Sequence, residues 1–184
     1  MTYTNWIEAV RAGRTFLTNG PLLSFTVNGQ EPGATIHLPQ AGQSVRIRAE
    51  AQCVEEFDGV EVLLNGQVIA SEAPTGSPYR AVIEFDWPVH TSGWLAARCW
   101  GTREMQLLLG GEQPGAHTSP VYVRVADQAL PPDPAAVSRL QAALDYMLQW
   151  VEQSGRFENE RQHEQLRGIF LAAKARLSEL GSGG

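Results

Sequence analysis

The sequence predicts a mainly β protein: an immunoglobulin-like antiparallel β-sandwich with a short N-terminal helix and a C-terminal two-helix hairpin. Three observations predict it. From Leu22 to about Ala126, apolar residues recur with a period of two, in short runs separated by Gly, Pro, Asn and Asp. No helical pattern interrupts those runs, which argues against a parallel sheet of βαβ units. Beyond Pro131-Pro132-Asp133-Pro134 the period becomes helical and stays so almost to the end.

Composition narrows the function classes. At 184 residues, 43% hydrophobic and 18% charged, the chain is long and apolar enough for one medium domain with an appendage. The net charge is −6, and the basic residues, nearly all arginine, are dispersed, so there is no electrostatic footprint for nucleic acid. No apolar run reaches membrane-spanning length, and Met1-Thr2-Tyr3-Thr4 leads into a polar helix start without a leader pattern. Two cysteines, Cys53 and Cys99, are too few for a disulfide scaffold.

Taken in order, Asn5 to Ala12 reads as a helix, with Asn5 as N-cap, Glu8 completing a capping box and Gly13 at C′. Trp6, Ala9 and Val10 share a face that needs a partner, because so short a helix is not stable alone. Arg14 to Leu17 reads as a short strand, and Asn19-Gly20-Pro21 as a turn. Strands follow at Leu22–Val27, Ala34–Leu38, Ser44–Gln52, Gly59–Leu64, Gln67–Ala70, Tyr79–Trp87, Trp94–Trp100 and Pro120–Ala126. Asn28-Gly29 and Asn65-Gly66 are turn signals, the latter joining two strands as a hairpin. Seven or eight strands suit the immunoglobulin-like arrangement.

Asp133 and Pro134 then start a helix whose apolar face is Val137, Leu140, Leu144, Met147, Leu148 and Val151. Ser154-Gly155 stops it. A second helix, Glu158 to Leu180, carries Leu166, Ile169, Phe170, Ala173 and Leu177, and the two are expected to pair as an antiparallel hairpin. Gly181-Ser182-Gly183-Gly184 reads as a flexible tail.

Candidate chemistry is sparse. His37, His90, His117 and His163 are scattered, with no HxH or CxxC spacing, so no zinc site is expected. His117 stands out because Ala116-His117-Thr118-Ser119-Pro120 precedes the last strand, where a loop could face a neighbouring domain; the plainer role is fixing a turn. Glu55-Glu56-Phe57-Asp58 gathers three carboxylates without the spacing of a calcium loop, and reads as a solvated loop. Gly110-Gly111 and Gly115 match no phosphate-binding pattern. Trp87, Trp94 and Trp100 could form a sugar-binding platform, although tryptophans in alternating strands more often pack. Cys53 and Cys99 fall where an immunoglobulin domain bridges its sheets. Gly59–Leu64 lacks the accompanying Trp, however, and position 97 is Ala rather than Tyr, so two free thiols are expected.

The run from Trp6 to Leu23, containing Gly13-Arg14-Thr15-Phe16-Leu17-Thr18-Asn19-Gly20-Pro21, resembles a segment of the CehA/McbA-type metallohydrolases, bacterial enzymes with a PHP-like metal-binding barrel. Asn65-Gly66 after Val62-Leu63-Leu64, Trp94-Leu95-Ala96-Ala97-Arg98, Ala116-His117-Thr118-Ser119-Pro120-Val121-Tyr122-Val123 and the helical end extend the resemblance over nearly the whole chain. It implies a C-terminal part: residues 1–17 as the terminal helix and strand of the barrel, 18–128 as an accessory sandwich, and 129–184 as linker and hairpin. The family's metal ligands lie N-terminal to the matching region. The resemblance therefore implies no cofactor in this chain and a divalent metal in a catalytic domain outside it. No catalytic or metal-ligating residue carries over; Asn19, Arg98 and His117 are the candidates for an inter-domain or functional loop.

On this reading the chain is the accessory domain of a PHP-like metal-dependent hydrolase, packing on the catalytic domain and lining its entrance. Its soluble bacterial parent would be cytoplasmic or exported. The expected partner is that catalytic domain, not nucleic acid or membrane, with homo-oligomerisation through the apolar helix faces as a further route. The alternative is an independent carbohydrate- or protein-binding β-sandwich. A hydrolase centred on His117 is disfavoured, because no nucleophile or second ligand accompanies it.

Overall fold

The computed structural model describes residues 2–107, 111–126, 128–130 and 132–182. Among them lie ten strands and three helices. The chain divides into two compact units, Met1–Leu130 and Pro131–Gly184.

The first unit is a β-sandwich. Its smaller sheet orders β2 (Leu22–Val27), β4 (Gln43–Gln52) and β7 (Arg80–Val89), all antiparallel. The larger sheet is built on β8 (Gly93–Trp100). On one side of β8 come β5 (Gly59–Leu64) and β6 (Gln67–Glu72). On the other side, β9 (Gly115–Thr118) borders the C-terminal half of β8, and β10 (Val121–Val125) its N-terminal half. Outside these lie β1 (Phe16–Thr18), antiparallel to β9, and β3 (Thr35–Leu38), parallel to β10. The sandwich is immunoglobulin-like, with this one parallel pair where an all-antiparallel sheet was expected.

Period-two patterning builds the core between the sheets. Val45, Ile47, Ala49 and Ala51 of β4 are fully buried and face Val60, Val62, Leu95, Ala97, Cys99, Val121, Val123 and Val125 of the larger sheet. The outer face of the smaller sheet is instead a charge ladder: Arg46 bridges Glu84 and Asp86, while Arg48 and Arg80 converge on Glu50.

Two breaks let single stretches serve two places. After β2 the chain turns through Asn28-Gly29, both at positive φ, and crosses to the other sheet as β3. In that crossing Gly33 (φ 89°) is obligatory: a Cβ there would sit 1.8 Å from the Ala12 carbonyl oxygen. The second break is Ser119-Pro120, between β9 and β10. Buried Thr118 covers it, its Oγ1 accepting from Ala97 N at 3.1 Å in place of a ladder carbonyl.

Local expectations shift in several places. Helix α1 runs Tyr3–Arg11, capped by Thr2 rather than Asn5. Thr2 Oγ1 accepts from Asn5 N (3.2 Å) and donates to Asn5 Oδ1 (2.8 Å), so the cap and its reciprocal partner lie three residues earlier than Asn5 and Glu8. The helix ends at Gly13 (φ 69°), with Gly13 N donating to Val10 O and Arg14 N to Ala9 O, a Schellman arrangement. The following strand is Phe16–Thr18, not Arg14–Leu17, and β9 occupies part of the expected loop before Pro120.

In the second unit, Asp133 caps α2 (Pro134–Gln153) by accepting from Ala135 N, and α3 runs Glu160–Ser182. The helix thus continues through Gly181 and Ser182, where a tail was expected; Gly183 and Gly184 lie outside the described residues, as do Gly110 and Pro131. The expected apolar faces split. Val137 and Val151 are buried and Leu144, Leu148, Leu166, Phe170, Ala173 and Leu177 half-buried, whereas Leu140, Met147 and Ile169 are exposed. The apolar arc is wider than one sister helix can cover.

Candidate functional site

Alternation along β8 sends Leu95, Ala97 and Cys99 into the core and Trp94, Ala96, Arg98 and Trp100 outward. Strand register then assembles the outer face of the larger sheet. Leu17, His117, Arg98 and Glu61 form one cross-strand row over β1, β9, β8 and β5. Tyr122 lies opposite Trp94, and Leu63 opposite Ala96. Between the Trp94–Tyr122 pair and the Arg98–His117 pair, the small side chain of Ala96 forms a floor only 8% exposed despite facing outward. The result is a shallow, largely apolar groove of about 380 Å³, with Leu63 and Pro120 also lining it.

The rim is polar. Arg98 Nε donates to Glu61 Oε2 at 2.5 Å, which fixes the guanidinium stem along the groove. The exposed His117 ring is held only weakly, its Nδ1 lying 3.5 Å from Thr118 O. Two of the three residues singled out in the sequence, Arg98 and His117, are therefore cross-strand neighbours on one surface. Asn19 is not there. Its side chain ties off the β1–β9 end, accepting from Gly115 N (2.8 Å) and donating to Gln113 O (2.8 Å). Sequence reasoning missed Tyr122, Leu63 and the Ala96 floor; a small residue flanked two positions away by Trp94 and Arg98 was the available signal.

The stretches that carry the resemblance meet each other at a joint. Thr15 and Ser119 hydroxyls lie 2.8 Å apart, Ser119 N donates to Thr15 O, and Gly33 N donates to Pro120 O. Beside this joint Phe16, 40% exposed, lies between clefts of about 420 and 320 Å³. Helix α1 contributes no buried residue, leaving Tyr3, Trp6 and Val10 exposed.

Other candidates resolve structurally. Each carboxylate of the Glu55–Asp58 loop holds the 102–107 segment: Glu55 accepts from Gln106 N and Leu107 N, Glu56 pairs with Arg103, and Asp58 accepts from Thr102 N and Oγ1. Trp87 sits on the smaller sheet in edge contact with Phe85. Trp94 and Trp100 share a face of β8 but stand six residues apart, about 20 Å along a strand. The three tryptophans form no common platform. Cys53 and Cys99 are free thiols; burial, and secondarily the neighbouring Cys53, pushes the Cys99 thiol up to about 12. Among the described residues no three His, Cys, Asp or Glu side chains converge as a metal site requires, and no helix is long and apolar enough to cross a membrane.

No protein-family model matches the chain, and a search of curated proteins returns no match. Among solved structures, a fibronectin(III)-like module of Clostridium thermocellum CbhA is 13% identical with a TM-score of 0.31, over 56% of this chain and 95% of that one. The CARDB domain of a Pyrococcus furiosus protein, solved in complex with di-metal ions, is 14% identical with a TM-score of 0.36, over 56% of this chain and 89% of that one. Neither likeness is close enough to carry an argument about this chain; the fold assignment rests on the sheet topology described above.

Proposed function

We propose that this chain is a β-sandwich interaction module that holds an apolar segment of a protein partner on the outer face of its larger sheet. The observation that carries the reading is the groove itself: aromatic and aliphatic walls from Trp94, Tyr122, Leu63 and Pro120, a floor at Ala96, and a polar rim at Arg98, Glu61 and His117. An apolar interior with a few oriented polar groups at the edge suits a protein side chain better than a sugar, which needs a coplanar aromatic platform or a dense polar lining. Selection from a displayed peptide library tests this. It should enrich sequences sharing an apolar anchor, whose binding is abolished by Ala96→Arg, which fills the groove, and kept by Arg46→Ala on the opposite sheet. Failure to enrich any sequence, or binding indifferent to Ala96→Arg, refutes it.

A second reading has its own observation, the unpartnered α1. We infer that the partner is the catalytic domain of a PHP-like metal-dependent hydrolase, to which this chain is accessory. Tyr3, Trp6 and Val10 face outward beside the joint, as the terminal helix of a barrel would if its neighbours belonged to another domain. The described residues do not fit a metal site, so the divalent metal of this reading would be held outside them. Reading the coding sequence upstream of Met1 tests it. A barrel bearing an HxH pair supports it, and the absence of any encoded domain refutes it.

A further inference from the structure

We propose that the free edge of β2 takes a further strand: an extended segment of another polypeptide, apolar at alternate positions, laid along Leu23 to Phe25 as an added outer strand of the smaller sheet. The direction of the β2 backbone carries this. Val27 N donates to Gln30 O and Gln30 N to Val27 O, while Asn28 N donates to Arg46 O of β4. Val27 therefore turns its peptide groups away from β4, and Asn28 turns its N–H towards it. With a period of two, Leu23 and Phe25 direct theirs the same way as Val27. Pro21 has the same parity, and its carbonyl is closed by Thr18 Oγ1 at 2.6 Å. The chain thus seals this edge at both ends, at Pro21 and at Val27. Between them, β2 pairs only with β4, and the outward N–H and C=O groups of Leu23 and Phe25 meet no partner among the described residues.

The other edges are blunted against such pairing. Strand β1 is three residues long and β3 four. Strand β7 carries Pro88 and the charges of Arg80, Glu84 and Asp86. Strand β6 is shifted against β5 by an irregularity at Val62 and Leu63, and ends in Glu72. Strand β2 runs six residues with no charge, no proline and no bulge. An edge left in that state is a template for another strand.

The space beside this edge suits one strand. Strand β2 packs across β8 and β9, and β1 lies one strand further out than β9, so the larger sheet overhangs the smaller. Phe16 shares its cross-strand position with buried Thr118 and so faces inward from that overhang. It is nevertheless 40% exposed, because no strand of the smaller sheet lies beyond β2. Clefts of about 420 and 320 Å³ lie on either side of it, and Leu23 and Ser24 line both. Neighbouring strands stand about 4.8 Å apart, so one added strand covers Phe16 and occupies the overhang. A second copy joined β2 to β2, core face continuing core face, would bring its own β9 and β1 onto the same ground and does not fit. Incoming residues opposite Leu23 and Phe25 face Phe16 and need apolar side chains, whereas the one opposite Ser24 faces solvent. Backbone pairing supplies the affinity and those alternate side chains the selectivity. The edge is separate from the groove, which lies on the outer face of the larger sheet.

The test is amide hydrogen exchange of the full, isotope-labelled chain, read by nuclear magnetic resonance, with and without a short capped peptide of alternating valine and threonine carrying a lysine at each end. In the free chain the Leu23 and Phe25 amides should exchange fast, and those of Ser24 and Thr26, turned to β4, slowly. Peptide at millimolar concentration should slow Leu23 and Phe25 by at least about tenfold. Phe16→Ala should weaken the peptide by about tenfold, and Val68→Thr on β6 should leave its binding unchanged. Because a docked strand turns only alternate amides towards β2, N-methylation of one alternate set of peptide residues should abolish binding and of the other set should keep it. Leu23 and Phe25 amides already protected in the free chain overturn the proposal, since the edge is then covered by a second copy or by the chain itself. So do amides that the peptide leaves unprotected, a peptide indifferent to Phe16→Ala, and two N-methylated sets that behave alike.

Discussion

Removing residues 1–18, so that the chain begins at Asn19, is the sharpest test of the joint. Helix α1 buries no side chain, so its loss removes no core contact. Strand β1 is three residues long and exposed at every position, with Leu17 67% and Phe16 40% accessible. Partial burial of Phe16 is worth about 1–2 kcal/mol, and the edge pairing with β9 about 1 kcal/mol per hydrogen bond at most. Ordering the backbone costs roughly 1–2 kcal/mol per residue, and the shorter chain is spared that over eighteen positions. The net loss should stay within about 2 kcal/mol. That corresponds to a fall in Tm of no more than about 15 °C for a sandwich of this size. The truncated chain should stay soluble, with β-rich circular dichroism and a cooperative melt. Asn19 is kept, and its clasp on Gly115 keeps the exposed end of β9 tied. An insoluble or molten product would refute the reasoning, showing that the sandwich needs α1 and β1 in order to fold, and would weaken the reading of α1 as a surface for another domain.

Three further outcomes follow from single sites. Thr118→Val removes the acceptor for Ala97 N while keeping shape, and should cost about 1–3 kcal/mol in a denaturant titration; no change would show that the break between β9 and β10 needs no side-chain bridge. Glu50, held by Arg80, Arg48 and Gln52, has its carboxyl lowered to about 2 from an ordinary 4.5. Because the folded value is the lower one, the stability it contributes is complete above about pH 4.5 and lost as pH falls towards about 2. Wild type should therefore lose about 1–2 kcal/mol more than Glu50→Gln across that window, a figure reduced for the solvent-screened arginines; parallel profiles would contradict it. With the Cys99 thiol pushed up to about 12 and the side chain buried, alkylation of the native protein near pH 8 should label Cys53 far ahead of Cys99 by mass spectrometry, and both should titrate as free thiols once unfolded without reductant. Equal labelling rates, or no titratable thiol, would overturn this.

The strands were legible where one face is buried and the other wet, because alternation then reports the environment directly. Val45 to Ala51 is the clearest case. What stayed hidden depended on contacts distant in sequence. Nothing local distinguishes Thr2 from Asn5 as a cap, since both side chains can do it and only the preceding backbone decides. Strand β9 has just Ala116 and Thr118 facing in, too little alternation to read as a strand. The parallel pairing of β3 with β10 joins segments more than eighty residues apart, and its register is set by the crossing at Gly33. The groove was illegible for the same reason. Trp94 and Ala96 were visible on one strand, but Tyr122 and Leu63 come from its two neighbours, and only register places them side by side. On the helices the sequence displays the whole apolar arc, yet the half that meets the sister helix is fixed by the packing of the pair.

This separation of local from long-range information bears on how the motif residues should be weighed. Six of them have a positional role visible in the structure. Thr15 and Ser119 join across the joint, Thr18 Oγ1 donates to Pro21 O, Asn19 clasps Gly115, Thr118 covers a strand break, and Pro120 receives Gly33 N. Their presence together is accounted for by local roles around the joint, which tie Thr15 to Ser119, shape the turn after β1, hold the end of β9 and bridge the break before β10, whatever the module binds. Arg98 and His117 differ. Arg98 reaches outward to Glu61 and the His117 ring stands exposed, so neither holds the joint together. A substitution in the first group should change stability before it changes binding, and one in the second should do the reverse. The functional weight of these stretches therefore falls on the two residues that point away from the fold they stand on.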